Sequence, residues 1–397
     1  VREFGVSLHR HAEKPSSSPL STPEAQAQFA LGIGFTNDSN PRQASEDVED
    51  VEADNMIEEI LSVRFLKKWS KKSSVKVEYE GRFRQYMEES DRGHNEQLLR
   101  LALDTKMGHQ DKYKFKIVNR FGLLADVTAF DGTTDSEVAM RTVNELNPVF
   151  SADVGRSFAA QVGMMWRMGS YSDDEYEQLN NQTISPFLQF GYKGLGKDLE
   201  VYGNYTMSIL SYDNEDRLAY SAAGYTSHSI FVGLSSKYST NLEYDLRLGF
   251  SMLTVTDLDD GVTFDEEDSS DLSARLKVDY VAAKNAKLSA IFNRGFVPSA
   301  VSNFGIANSF ELRWTHAIDE AKKYEYNVGL TYTDIVRSIE DNDMGVMGVR
   351  GAFNWWFYEK LFNGSAYAAF DYSSRSADVE TSEYDRMRIS LGVVASY

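Results

Sequence analysis

Leu242–Met252 reads LEYDLRLGFSM. Leu242, Tyr244, Leu246, Leu248, Phe250 and Met252 take alternate positions, and Glu243, Asp245, Arg247 and Ser251 lie between them. An extended strand sends successive side chains to opposite faces, so this stretch has one apolar face and one largely charged face. The rhythm recurs in LSARLKVDY (Leu272–Tyr280), FELRWTH (Phe310–His316), VRGAFNWWFY (Val349–Tyr358) and YDRMRISLGVVASY (Tyr384–Tyr397). Working outward from these, period-2 stretches of about 10–15 residues run from Gln26 to Tyr397, separated by polar or Gly-rich breaks. The pattern predicts an all-β chain of about 18 strands, with 16 as the alternative should neighbours merge.

The breaks alternate as well. SNPRQASEDVEDVEAD, SYSDDEYEQLNNQ and DLDDGVTFDEEDSS are long and acidic, whereas GHQD, KGLGKD, KYSTN, AKNA and IDEAKK are short and several carry Lys. Long loops at one end and tight turns at the other are the asymmetry of a transmembrane antiparallel up-and-down β-barrel of the bacterial outer membrane. An even strand number places both termini on the turn side, which would be periplasmic. No run approaches the roughly 18–20 apolar residues of a spanning helix, and a barrel needs none. Residues 1–25, rich in Ser and Pro, read as a flexible polar tail, and 26–397 as the barrel. Val1 opens a polar stretch rather than a secretory leader, which leaves a cytosolic or an already processed chain.

Composition narrows the function. The formal net charge of −19 argues against a nucleic-acid partner. With no Cys there is no disulfide, thiolate nucleophile or thiolate metal site. No GxSxG, HExxH or P-loop motif occurs, and the adjacent Ser227 and His228 would face opposite sides of a strand, so no catalysis, cofactor or metal is expected. Tyr and Trp at strand ends, among them Trp69, Tyr113, Trp166, Tyr192, Tyr212, Tyr280, Trp314, Trp355 and Tyr372, fit two interfacial girdles. The acidic loops would be solvated, or bridged by divalent cations to a surface glycolipid.

If the apolar face meets lipid, the alternate face lines a lumen. That places Arg82, Arg84, Arg100, Arg167, Arg247, Arg275, Lys277, Arg313, Arg350, Trp356, Tyr358, Arg375, Arg386 and Arg388 along a solute path. Carboxylates on the same face, such as Glu78, Asp245 and Asp371, could instead close them into ion pairs that brace the wall.

FNRGFVPSAVSNFG, YEYNVGLTYTDIVRS, GAFNWWFYEKLFNGSAYAAFDYSSRS and the closing EYDRMRISLGVVASY resemble the second of the β-barrel porin families of the outer membrane. The likeness covers about residues 285–397. The resemblance implies a barrel of the alginate-export type that passes an exopolysaccharide or capsular polysaccharide to the cell surface. It also implies periplasmic export components and the barrel assembly machinery as partners, with Tyr397 as the assembly signal. A general diffusion porin for small solutes and a plugged interaction barrel remain the alternatives.

Overall fold

A computed structural model describes residues 25–40, 53–88, 90–126, 139–172, 174–195, 198–213, 224–256, 268–297, 304–318, 323–337, 343–358, 363–377 and 383–397. The polar tail before Ala25 and most of the long acidic connections lie outside them. Eighteen strands form one sheet. They are β1 (Ala25–Asp38), β2 (Asp54–Lys68), β3 (Ser73–Tyr86), β4 (His94–Met107), β5 (Tyr113–Asp126) and β6 (Ala139–Val154). Next come β7 (Phe158–Tyr171), β8 (Asn181–Tyr192), β9 (Leu199–Tyr212), β10 (Tyr225–Ser236), β11 (Leu242–Val255) and β12 (Asp268–Ala283). The last are β13 (Ala286–Val297), β14 (Gly305–Ala317), β15 (Tyr324–Arg337), β16 (Met344–Tyr358), β17 (Asn363–Ala377) and β18 (Tyr384–Ser396). Each pairs antiparallel with its neighbours in chain order, and β18 returns to pair with β1. No edge is left, so every strand has ladder partners on both sides and the sheet can sit in hydrocarbon.

The alternation predicts the two faces well. Leu31, Ile33, Phe35, Val232, Leu248, Phe250, Leu272, Leu391 and Val393 project outward and are exposed. Such a largely apolar exterior is the lipid-facing belt of a membrane-spanning barrel. Tyr113, Phe158, Tyr192, Tyr280, Tyr324 and Trp355 stand exposed at the short-turn ends of their strands and form one aromatic girdle. Tyr212 departs from the girdle expectation. Its register partner is Asn181, it faces inward, and it packs against apolar clusters at the opposite rim.

The short turns are built locally. Gly155 takes φ +70° between β6 and β7, a conformation that glycine adopts without strain. Lys72 and Asp111 tie the β2–β3 turn to the β4–β5 turn at 2.9 Å. The hydrogen bond from Lys72 holds the Asp111 carboxyl below its ordinary range.

The closing seam is specific. Phe29 and Tyr397 exchange main-chain hydrogen bonds of 3.1 and 2.8 Å, and the Tyr397 ring is exposed outside. Thr36 and Ser390 share a hydroxyl contact of 2.8 Å. The Arg386 Nε donates to both oxygens of Asp38 at 2.9 and 3.1 Å, and its Nη2 donates as well. Tyr367 of β17 lies over the seam, where a Cβ on Gly34 or Gly392 would fall 2.4 or 2.5 Å from its ring or hydroxyl. Glycine is required at both positions because the tyrosine occupies the space of their side chains.

Candidate functional site

An eighteen-stranded barrel is wide enough to hold an aqueous interior rather than a packed core, so the inward face is the candidate site. The ladder registers show which inward side chains are neighbours. One line of register partners runs Arg64, Glu78, Arg100, Arg120, Glu145, Arg167 across β2 to β7. A second runs Arg388, Asp371, Arg350, Gly329, Arg313 from β18 to β14. A third brings Tyr202, Gly233, Arg247, Arg275 and Asn293 together from β9 to β13.

Carboxylates close many of these bases. Arg64 and Arg100 reach Glu78 at 3.2 and 3.3 Å, and Arg120 reaches Glu145 at 3.0 Å. Arg350 and Arg388 grip the two oxygens of Asp371 at 2.6 and 3.0 Å. Arg84 bridges Glu58 and Glu96 at 2.9 and 3.1 Å, and Arg82 meets Glu80 at 2.8 Å. Arg247 bonds Asp245 at 2.9 Å, and its guanidinium also lies over the Tyr202 ring.

The predicted path residues therefore divide. Arg82, Arg84, Arg350 and Arg388 are paired and brace the wall. Arg375 and Arg386 are buried. Arg100, Lys277 and Arg313 each keep 37–41% of the side chain open despite a carboxylate partner. Arg167 and Arg275 are exposed. Trp356 is turned inward but only 6% exposed, so it offers no open ring face. Tyr358 ends β16 opposite Asn363, beyond which the connection lies outside the described residues.

Several inward bases escaped prediction. Lys114, Lys116 and Arg120 alternate with Phe115, Ile117 and Phe121, a legible signal, but Asn119 breaks the outward row. Arg64 was hidden between Val63 and Phe65. Near the short-turn rim, Lys112, Lys114, Lys193, Asp153, Glu200 and Gln161 help to line a cavity of about 210 Å³ on the lumen wall, with Lys193 bound to Asp153 at 3.0 Å. Among the described residues no group of three His, Asp or Glu side chains is placed to hold a metal.

At the loop-side rim the inward face is apolar over part of its circumference. Leu210, Tyr225, Leu253, Val255 and Phe304 form a dry cluster, with Leu253 1% and Phe304 2% exposed. Tyr212 joins it to Ala139, Tyr171 and Leu179, the last supplied by a short 3-10 helix at Asp174–Leu179. Leu179, between β7 and β8, and Phe304, just ahead of β14, thus pack against the inward face on that side of the mouth.

No family model matches the chain, and no curated protein matches it. Solved structures do. A BenF-like porin from Pseudomonas fluorescens Pf-5 aligns with TM-score 0.50 at 10% identity, over 94% of this chain and 99% of that one. The outer-membrane protein opdK from Pseudomonas aeruginosa aligns with TM-score 0.47 at 9% identity, over 94% and 99%. OccAB4 from Acinetobacter baumannii aligns with TM-score 0.45 at 10% identity, over 96% and 100%. At such identities the likeness is one of fold: the BenF-like match, together with the closed lipid-facing sheet, gives this chain the architecture of an outer-membrane porin. Nothing in these comparisons singles out the polysaccharide-export type.

Proposed function

We propose that the barrel is an outer-membrane diffusion porin for small anionic solutes. The observation that carries this reading is the placing of like charges directly across the ladder. Arg100 faces Arg120 and Arg247 faces Arg275. Such pairs repel and cost stability in a sheet. Lys106 and Lys114 repeat the arrangement near the turn rim. Arg275 is exposed, and its neighbour Arg247 already holds Asp245. A small carboxylate or phosphate passing between the bases would relieve the repulsion and leave again, which is what conduction needs.

The inward aromatics favour this over polysaccharide export. A sliding polymer stacks on open ring faces, yet Tyr86, Tyr171, Tyr202, Tyr225, Trp356 and Tyr367 are buried, and the inward Phe187 and Phe231 are only partly exposed. The test is the reversal potential of purified barrels in planar bilayers under a salt gradient. Anion preference, weakened by Arg275→Gln, is the expected result. Cation preference, or a barrel that never conducts, would sink the proposal. Loss of surface polysaccharide on deleting the gene would restore the export reading.

A further inference from the structure

The lipid-facing belt carries a polar fault on one flank. Asn119 of β5 and Asn144 of β6 both point outward, since their register partners Leu101, Leu146 and Phe121 do. Asn119 Nδ2 donates to Asn144 Oδ1 at 2.8 Å and to the Glu145 carbonyl at 3.3 Å. Among the described residues this leaves the Asn144 amide N–H groups and the Asn119 carbonyl oxygen without partners.

Their height matters. Asn119 lies six residues along β5 from Tyr113 of the turn-side girdle. At ~3.3 Å per residue and a tilt near 40°, that is about 15 Å into a belt roughly 25 Å tall. Phe115 and Ile117 lie below it on the same face, and Phe121 and Leu123 above. Acyl chains cannot bond an amide, so an open N–H and an open C=O there are costly unless protein supplies partners. Elsewhere in the belt, Trp166 Nε1 donates to Gln182 at 3.0 Å, and Tyr205 bonds His228 at 2.8 Å.

We infer that the β4–β6 flank is an interface with a second copy of this chain. An open donor beside an open acceptor is its own complement: turned about an axis along the membrane normal, each chain's Asn144 N–H groups meet the other's Asn119 oxygen. Gln97 and Thr142, also outward on β4 and β6, extend the polar strip, and Leu99, Leu101, Phe121, Leu146 and Phe150 surround it with apolar surface. Asn119 lies beyond the reach of a lipid headgroup from either side, and a second copy of the chain presents both the donor and the acceptor that the pair lacks.

The absence of cysteine makes the test clean. Thr142→Cys is oxidised in outer-membrane vesicles, with Ile230→Cys, on β10 well round the barrel, as the control for random collision. A disulfide-linked dimer is expected from Thr142→Cys alone. Adding Asn119→Leu and Asn144→Leu should cut its yield about tenfold, the effect of losing a few modest intramembrane hydrogen bonds. The barrel should remain folded, judged by its heat-shifted band, since both changes make the lipid face more apolar. Asn144→Leu alone serves if the double variant does not fold. Equal cross-linking at Ile230, no dimer from Thr142→Cys, a Thr142 adduct with a different protein, or a dimer that survives the leucine substitutions would each overturn the inference.

Discussion

Removing the carboxylate of Asp38 should unlatch the barrel at its seam. The Arg386 guanidinium reaches both Asp38 oxygens, and the two side chains are 9% and 0% exposed. An exposed pair would contribute at most about 1 kcal/mol. Here water cannot replace the lost partner, so Asp38→Ala strands a buried cation and should cost about 3–5 kcal/mol. In equilibrium terms that is roughly a 100- to 4,000-fold loss in the folded-to-unfolded ratio. Urea unfolding of barrels refolded in lipid, followed by tryptophan fluorescence and the heat-shifted band, measures it. The double variant Asp38→Leu/Arg386→Met removes both charges and should recover most of the loss, because a well-packed apolar pair is often as stable as a buried ion pair. A single variant within 1 kcal/mol of the wild type, or a double variant no better than the single, would refute the reasoning.

Other outcomes follow from the same geometry. Gly392→Ala should destabilise by ~1–3 kcal/mol through collision with Tyr367, and Tyr367→Ala in the same chain should relieve it, read as the temperature of the heat-modifiable transition. Leu248→Arg, on the outer face, should cost ~2–4 kcal/mol in lipid, whereas the inward Arg275→Gln should stay within about 0.5 kcal/mol while lowering anion preference. Phe304→Ala should cost about 3–5 kcal/mol and raise single-channel conductance by loosening the apolar cluster at the mouth.

Strand number and facing are legible in the sequence because a period of two translates directly into in and out. The row from Leu242 to Met252 therefore gives the correct lipid face without knowledge of any neighbour. What a side chain meets once it points inward depends on register, and register is a property of two strands. Arg313 and Arg386 look alike in the sequence, yet one is 40% open and the other is sealed against Asp38, far away in the chain. Alternation offers Trp356 to the lumen as a ring for stacking, and burial removes that face. Tyr212 suits a girdle by its place at a strand end, but it shares its parity along β9 with the inward Tyr202, Asn204 and Leu210, and that alternation turns it to the lumen. The seam escapes sequence reading most fully: nothing local to Gly34 announces a tyrosine from a strand beyond its ladder neighbour.

That tyrosine bears on timing. Tyr367 meets Gly392 as soon as β17 and β18 pair, but it can settle over Gly34 only when β1 has already met β18, and the Asp38–Arg386 contact has the same requirement. Neither can help the chain reach closure, so both belong to the last step and act on how fast the finished barrel reopens rather than on how fast it forms. A barrel weakened there would insert at an ordinary rate and then have a short lifetime, a defect visible in turnover and not in biogenesis.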